Sequence, residues 1–71
     1  MIDVPAHITG TVWKIERKVG DAVQPGDVLV ILESMKMEMP VEAPEAGTVA
    51  EIRCQEAEPV AEGQTLVVLR K

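Results

Sequence analysis

The stretch Glu33-Ser34-Met35-Lys36-Met37-Glu38 sets a primary amine between two thioethers, with a hydroxyl and two carboxylates close by. An amine is a nucleophile toward activated acyl groups only after it loses its proton, and a lysine in water at neutral pH is almost wholly ammonium. Acylation at Lys36 therefore needs an enzyme that takes up that proton. Glu33, Glu38 and Glu42 could suggest acid–base carboxylates, but they read as a solvated acidic face. His7 is the sole histidine and Cys54 the sole cysteine, so neither metal-ligand spacing nor a nucleophile–base pair can be assembled. No glycine-rich run has the spacing that cradles phosphate. The chain is not expected to be an enzyme.

The elements that must position Lys36 are legible on both sides of it. After the lysine, Met37, Met39, Val41 and Ala43 form one alternating set and Glu38, Pro40 and Glu42 the other, which is the period of a strand with one buried face. This parity sends Lys36 to solvent with Glu38 and turns Met37 inward. Pro40 cannot donate to a ladder, which favours an edge position or an exposed gap in pairing. Before the lysine, Val28 to Leu32 is a branched apolar run bounded by the turn residues Pro25-Gly26-Asp27, the mark of a buried strand. Lys36 is thus expected at the tip of a hairpin.

Sliding the sequence by 37 positions reveals a duplication, with repeats of about 6–33 and 43–70. Gly10, Thr11, Val12 and Ile15 fall on Gly47, Thr48, Val49 and Ile52. Val23, Gly26, Leu29, Val30 and Leu32 fall on Val60, Gly63, Leu66, Val67 and Leu69, so Thr65 to Leu69 is the second buried strand. Leu32 to Ala43 has no copy of itself. The spacing of three between Val12 and Ile15, and between Val49 and Ile52, breaks strict alternation and predicts a bulge in each strand. Gly20-Asp21 is matched by Ala57-Glu58, and because alanine disfavours positive φ the second loop is expected to differ in shape. No stretch carries a sustained helical period. The fold class expected is all-β, in two halves neither of which covers its own apolar face.

Seven basic against twelve acidic side chains give a net charge of −5 over 71 residues, with no basic cluster, which argues against a nucleic-acid partner. Nothing approaches the roughly 20 apolar residues of a membrane span, and no signal core follows Met1. A single soluble, cytoplasmic domain is expected. One cysteine forbids an intrachain disulfide, so packing alone must stabilise the fold. Phe and Tyr are absent and Trp13 is the lone aromatic residue, expected to pack in the core or at its rim.

Ser34-Met35-Lys36-Met37, with Glu38 after it, resembles the attachment motif of biotinyl domains, usually Ala-Met-Lys-Met. The likeness runs over nearly the whole chain, through Gly10-Thr11-Val12, Val19-Gly20-Asp21, Gly26, Val28 to Leu32, Ala43-Pro44, Ala46-Gly47-Thr48-Val49, Glu62-Gly63 and Leu66 to Leu69. It departs at Ala6-His7-Ile8-Thr9-Gly10, where family members often carry Ala-Pro-Met-Pro-Gly. The protruding thumb of some acetyl-CoA carboxylase carriers and a Pro/Ala-rich linker have no counterpart, so a free-standing carrier subunit is expected.

The resemblance implies a flattened β-barrel of two four-stranded antiparallel sheets related by a quasi-dyad. It implies that Lys36 is biotinylated by a biotin protein ligase, with Glu33, Ser34, Met35, Met37 and Glu38 recognised around it. It further implies that a biotin carboxylase and a carboxyltransferase then use the attached biotin to pass a carboxyl group to an acyl-CoA such as acetyl-CoA, as in fatty acid biosynthesis. Lipoyl domains share this fold, but their signature is Asp-Lys-Ala, where Met35 and Met37 stand here. Lipoylation, alone or beside biotinylation, is the alternative.

Overall fold

Gly10-Thr11-Val12 and Gly47-Thr48-Val49 open the equivalent strands of two sheets. The computed structural model describes all 71 residues. Its eight strands are β1 (Ile2–Pro5), β2 (Gly10–Ile15), β3 (Ala22–Val23), β4 (Val28–Ser34), β5 (Met37–Glu42), β6 (Gly47–Ile52), β7 (Pro59–Val60) and β8 (Thr65–Arg70), with no helix. They form two four-stranded sheets, ordered β1-β8-β6-β3 and β5-β4-β2-β7, and every neighbouring pair is antiparallel. A shift of 37 residues carries each strand of one sheet onto its counterpart in the other.

The backbone bonds that stitch the halves repeat at the same interval. Gly20 N–H donates to Val49 O at 2.8 Å and Ala57 N–H to Val12 O at 2.7 Å; Gly26 N–H donates to Ala43 O at 2.9 Å and Gly63 N–H to Ala6 O at 2.8 Å. Each half thus caps the orphan groups of the other. The equivalence reaches β1 and β5, so Met39 to Glu42 does have a copy, Ile2 to Pro5, in which only Val4 and Val41 agree. One shared residue in four was too little for the sequence to show it. What has no copy is the tip Met35-Lys36, whose place in the other half is taken by the two chain ends beside the Ile2–Leu69 rung.

Both bulges are present. Register slips between Val12 and Lys14 on β2 and between Val49 and Glu51 on β6, leaving Trp13 and Ala50 as the extra residues. Pro40 lies on β5, an edge strand.

The core is built from seven 37-related pairs, among them Val12 with Val49, Leu29 with Leu66 and Leu32 with Leu69, joined by Cys54. The counterpart of Cys54 is Arg17, half-buried, whose Nε donates to Val28 O at 3.3 Å. Burial pushes the Cys54 thiol above its ordinary pKa, helped by the charge of Glu58, so this thiol is a packing residue of low reactivity.

The loop at Ala57 overturns the sequence expectation. Ala57 has φ +69° and Gly20 φ +98°, and the two loops close identically. Asp21 carboxylate accepts from Lys18 N–H at 2.9 Å and Glu58 carboxylate from Gln55 N–H at 3.2 Å. Cross-half bonding imposes the left-handed conformation on alanine at a cost of about 1–2 kcal/mol, and the acidic residue after it supplies the same side-chain bond. Ala57→Gly should relieve that strain, less about 0.4–1 kcal/mol of unfolded-state entropy. A net gain of up to about 1 kcal/mol, read as a rise of a few degrees in Tm by thermal denaturation, is expected.

Candidate functional site

Strands β4 and β5 pair in register from Ile31–Pro40 through Leu32–Met39 and Glu33–Glu38 to Ser34–Met37. Only Met35 and Lys36 remain to connect them, with φ of +53° and +67°. Positive φ at both central residues marks a type I′ turn, which matches strand twist but favours Asn-Gly. A methionine and a lysine there each cost on the order of 1–2 kcal/mol. Stability alone would not select this pair, and such strain concentrates at functional sites.

Met35 is 91 % exposed and Met37 61 % exposed. The inward turn expected for Met37 is thus corrected: at the last rung before the tip there is no opposing sheet left to cover it. The buried parity begins further along, with Met39 half-buried and Val41 and Ala43 buried. Two flexible thioethers accordingly flank Lys36 on the surface. Ser34 is half-buried at the end of β4; Glu33 and Glu38 are exposed and face each other across the strands. The six residues singled out in the sequence are gathered at one end of one sheet.

All four lysines are exposed. Lys14 pairs with Glu16 at 3.6 Å and Lys71 with Glu45 at 2.6 Å. Lys18 lies in the loop before Gly20; its backbone N–H is tied to Asp21, while its amine is unpaired. Lys36 alone projects from a two-residue turn, and its amine makes neither an ion pair nor a hydrogen bond. No pocket indents the surface, and no group of three metal-ligating side chains forms. What the hairpin tip offers chemically is one exposed, unpaired amine.

Trp13 departs from expectation. It is 48 % exposed, because the bulge turns it and Lys14 together to the outer face. The one clue in the sequence was that its repeat partner, Ala50, is small.

The family profile described as "Biotin-requiring enzyme" matches residues 1–69. The chain belongs to the biotin/lipoyl attachment family. It is 41% identical over 66 residues to the Biotin/lipoyl attachment protein of Bacillus subtilis, covering 93% of this chain and 90% of that protein. It is 40% identical over 67 residues to the "Biotinylated protein TB7.3 homolog" of Mycobacterium leprae, covering 94% of each. The crystal structure of the Kluyveromyces lactis urea carboxylase superposes with a TM-score of 0.93 at 35% identity, over 97% of this chain but 6% of that one. This attachment domain is thus similar both to proteins of its own length and to a small part of a far larger carboxylase. The family cofactor is covalently attached biotin. An exposed, unpaired amine on a protruding turn fits it, since an amide needs one free nitrogen and room on all sides. No helix is long and apolar enough to cross a membrane.

Proposed function

We propose that Lys36 is the biotin attachment residue and that the chain is a carboxyl carrier. The observation that supports this most directly is the unpaired Lys36 amine on a strained turn between two exposed methionines. In the first step a biotin protein ligase removes the ammonium proton, and Nζ bonds to the carboxyl carbon of biotinyl-adenylate as AMP departs. The hairpin holds that amine clear of the sheets, and amide formation cancels its charge. Biotin attached here supplies a ureido nitrogen that takes up and releases a carboxyl group.

The chain's own part is presentation. A tethered group meets its partner sites at effective concentrations of roughly millimolar, so biotin carboxylase and carboxyltransferase can share one arm. An acyl-CoA, acetyl-CoA among them, is the acceptor class.

Biotin is preferred to lipoate because Met35 stands where lipoyl domains place aspartate. Co-expression with a biotin protein ligase should give a streptavidin-binding protein with the intact mass of one biotinyl amide. Met35→Asp should lower the rate of biotinylation, by about tenfold if the thioether is a buried anchor in the ligase complex, and raise labelling by a lipoate ligase. Equal biotinylation rates would show that Met35 does not discriminate. Lipoate as the sole adduct on the native chain would overturn the biotin reading.

A further inference from the structure

The quasi-dyad gives an internal control, because two outer sheet faces built on one plan differ only where the fold does not require a particular residue. On the β5-β4-β2-β7 face the bulge presents Trp13 and Lys14 opposite Ile31, and Ile31 pairs with Pro40 on β5. Two rungs toward the tip, on the same face, lie Thr11, Glu33 and Glu38. At the equivalent places on the other face stand Ala50, Glu51, Val68 and Asp3, then Thr48, Arg70 and Met1.

The two faces finish differently. Val68 is buried although it lies outside the core cluster. Its register neighbours are Asp3 and Glu51, and Glu51 holds Arg53 through bonds of 3.1 and 3.4 Å. That face carries a buried valine among charged register neighbours, one of them paired. On the tip-bearing sheet Ile31 stays half-exposed, with exposed Pro40 on one side and the exposed bulge residues Trp13 and Lys14 on the other, Lys14 being paired with Glu16 at 3.6 Å. Glu33 and Glu38 sit directly across from each other with no ion pair to either, an arrangement that destabilises a sheet. An apolar band beside an uncompensated acidic pair is complementary to a protein surface with an apolar depression flanked by arginine or lysine.

We infer that the outer face formed by Trp13, Ile31, Pro40, Glu33 and Glu38 is the docking surface for the enzyme that acylates Lys36. The inference rests on Lys36 being the acceptor. Reach decides among the partners. Before acylation the enzyme must bring the Lys36 nitrogen itself to its reacting carbon, and a lysine offers only a four-carbon stem. Such an enzyme must lie against the flanks of the hairpin. Ile31 is three strand residues from the end of β4, or about 10 Å at ~3.3 Å per residue, well inside a contact of about 800 Å² on each partner. Enzymes that handle the loaded arm meet it at the arm's far end and need not touch this face. Trp13 supplies the large rigid anchor that such contacts centre on.

The test compares ligase kinetics on the intact chain, with biotin, ATP and a purified biotin protein ligase. Trp13→Ala copies the residue already present at the equivalent bulge, so it keeps the fold; Tm verifies this. It should raise KM for the chain about tenfold with little change in kcat. Glu33→Gln/Glu38→Gln should raise KM and flatten the fall of kcat/KM with salt. Asp3→Asn and Arg70→Gln, on the opposite face, should leave both constants unchanged. Unchanged KM in both Trp13→Ala and the double glutamine variant, with the native chain biotinylated normally, overturns the inference and leaves the attachment site standing. So does unchanged ligation combined with slower carboxylation of the attached biotin by biotin carboxylase, which would assign this face to that partner. A native chain that the ligase does not label at all would instead remove the attachment reading beneath it.

Discussion

Leu32→Ala is expected to remove a large share of the stability of the fold. Leu32 is fully buried on the β4 rung that pairs with both Val12 and Met39, where it ties the hairpin to the core. Truncating a buried leucine costs about 2–5 kcal/mol. A chain of 71 residues has roughly 4–11 kcal/mol to lose. The counterpart Leu69→Ala should cost a similar amount, because the same pocket is built twice. Urea denaturation followed by circular dichroism measures both. A loss under about 1 kcal/mol in either variant would mean that the core is looser than the structure shows.

Lys36→Arg is expected to abolish biotinylation while leaving stability unchanged. Arginine keeps the positive charge and the exposed position, but its guanidinium is never deprotonated in a protein and cannot form the amide. The φ of +67° penalises both residues alike, so Tm should stay within the small shift typical of surface changes, about 0.5 kcal/mol or less. Streptavidin blotting after co-expression with the ligase should fall to background. Persistent labelling in a folded Lys36→Arg protein would mean that another amine accepts the group.

Much of this architecture could be read from residue order. The duplication, the two bulges, the edge position of Pro40 and the hairpin around Lys36 each follow from local rules of spacing and turn chemistry, and each is in the structure. What escaped reading depended on contacts between the halves. Ala57 takes a left-handed conformation because Val12 O accepts its N–H from the other half, which propensity cannot reveal. Met37 is exposed because the second sheet ends short of the tip, although its parity is that of a core residue. β1 escaped the self-comparison because an edge strand needs only one buried residue, and Val4 is that residue. Trp13 was read by its type as core or rim, whereas the bulge that could be seen in its spacing is what turns it outward.

Within the site, the position of Lys36 at an exposed hairpin tip was legible, since strand parity and the turn-bounded apolar run before it converge on that bend. The difference between the two outer faces was not, because it emerges only when the halves are laid over one another in space.

The most direct measurement is to map the adduct by fragmenting peptides of the ligase-treated native protein. Lys14, Lys18 and Lys71 are exposed on the same molecule and serve as competing acceptors under identical conditions. All of the biotin is expected on Lys36. Biotin distributed among the four lysines, or placed on any one of the other three, would contradict it.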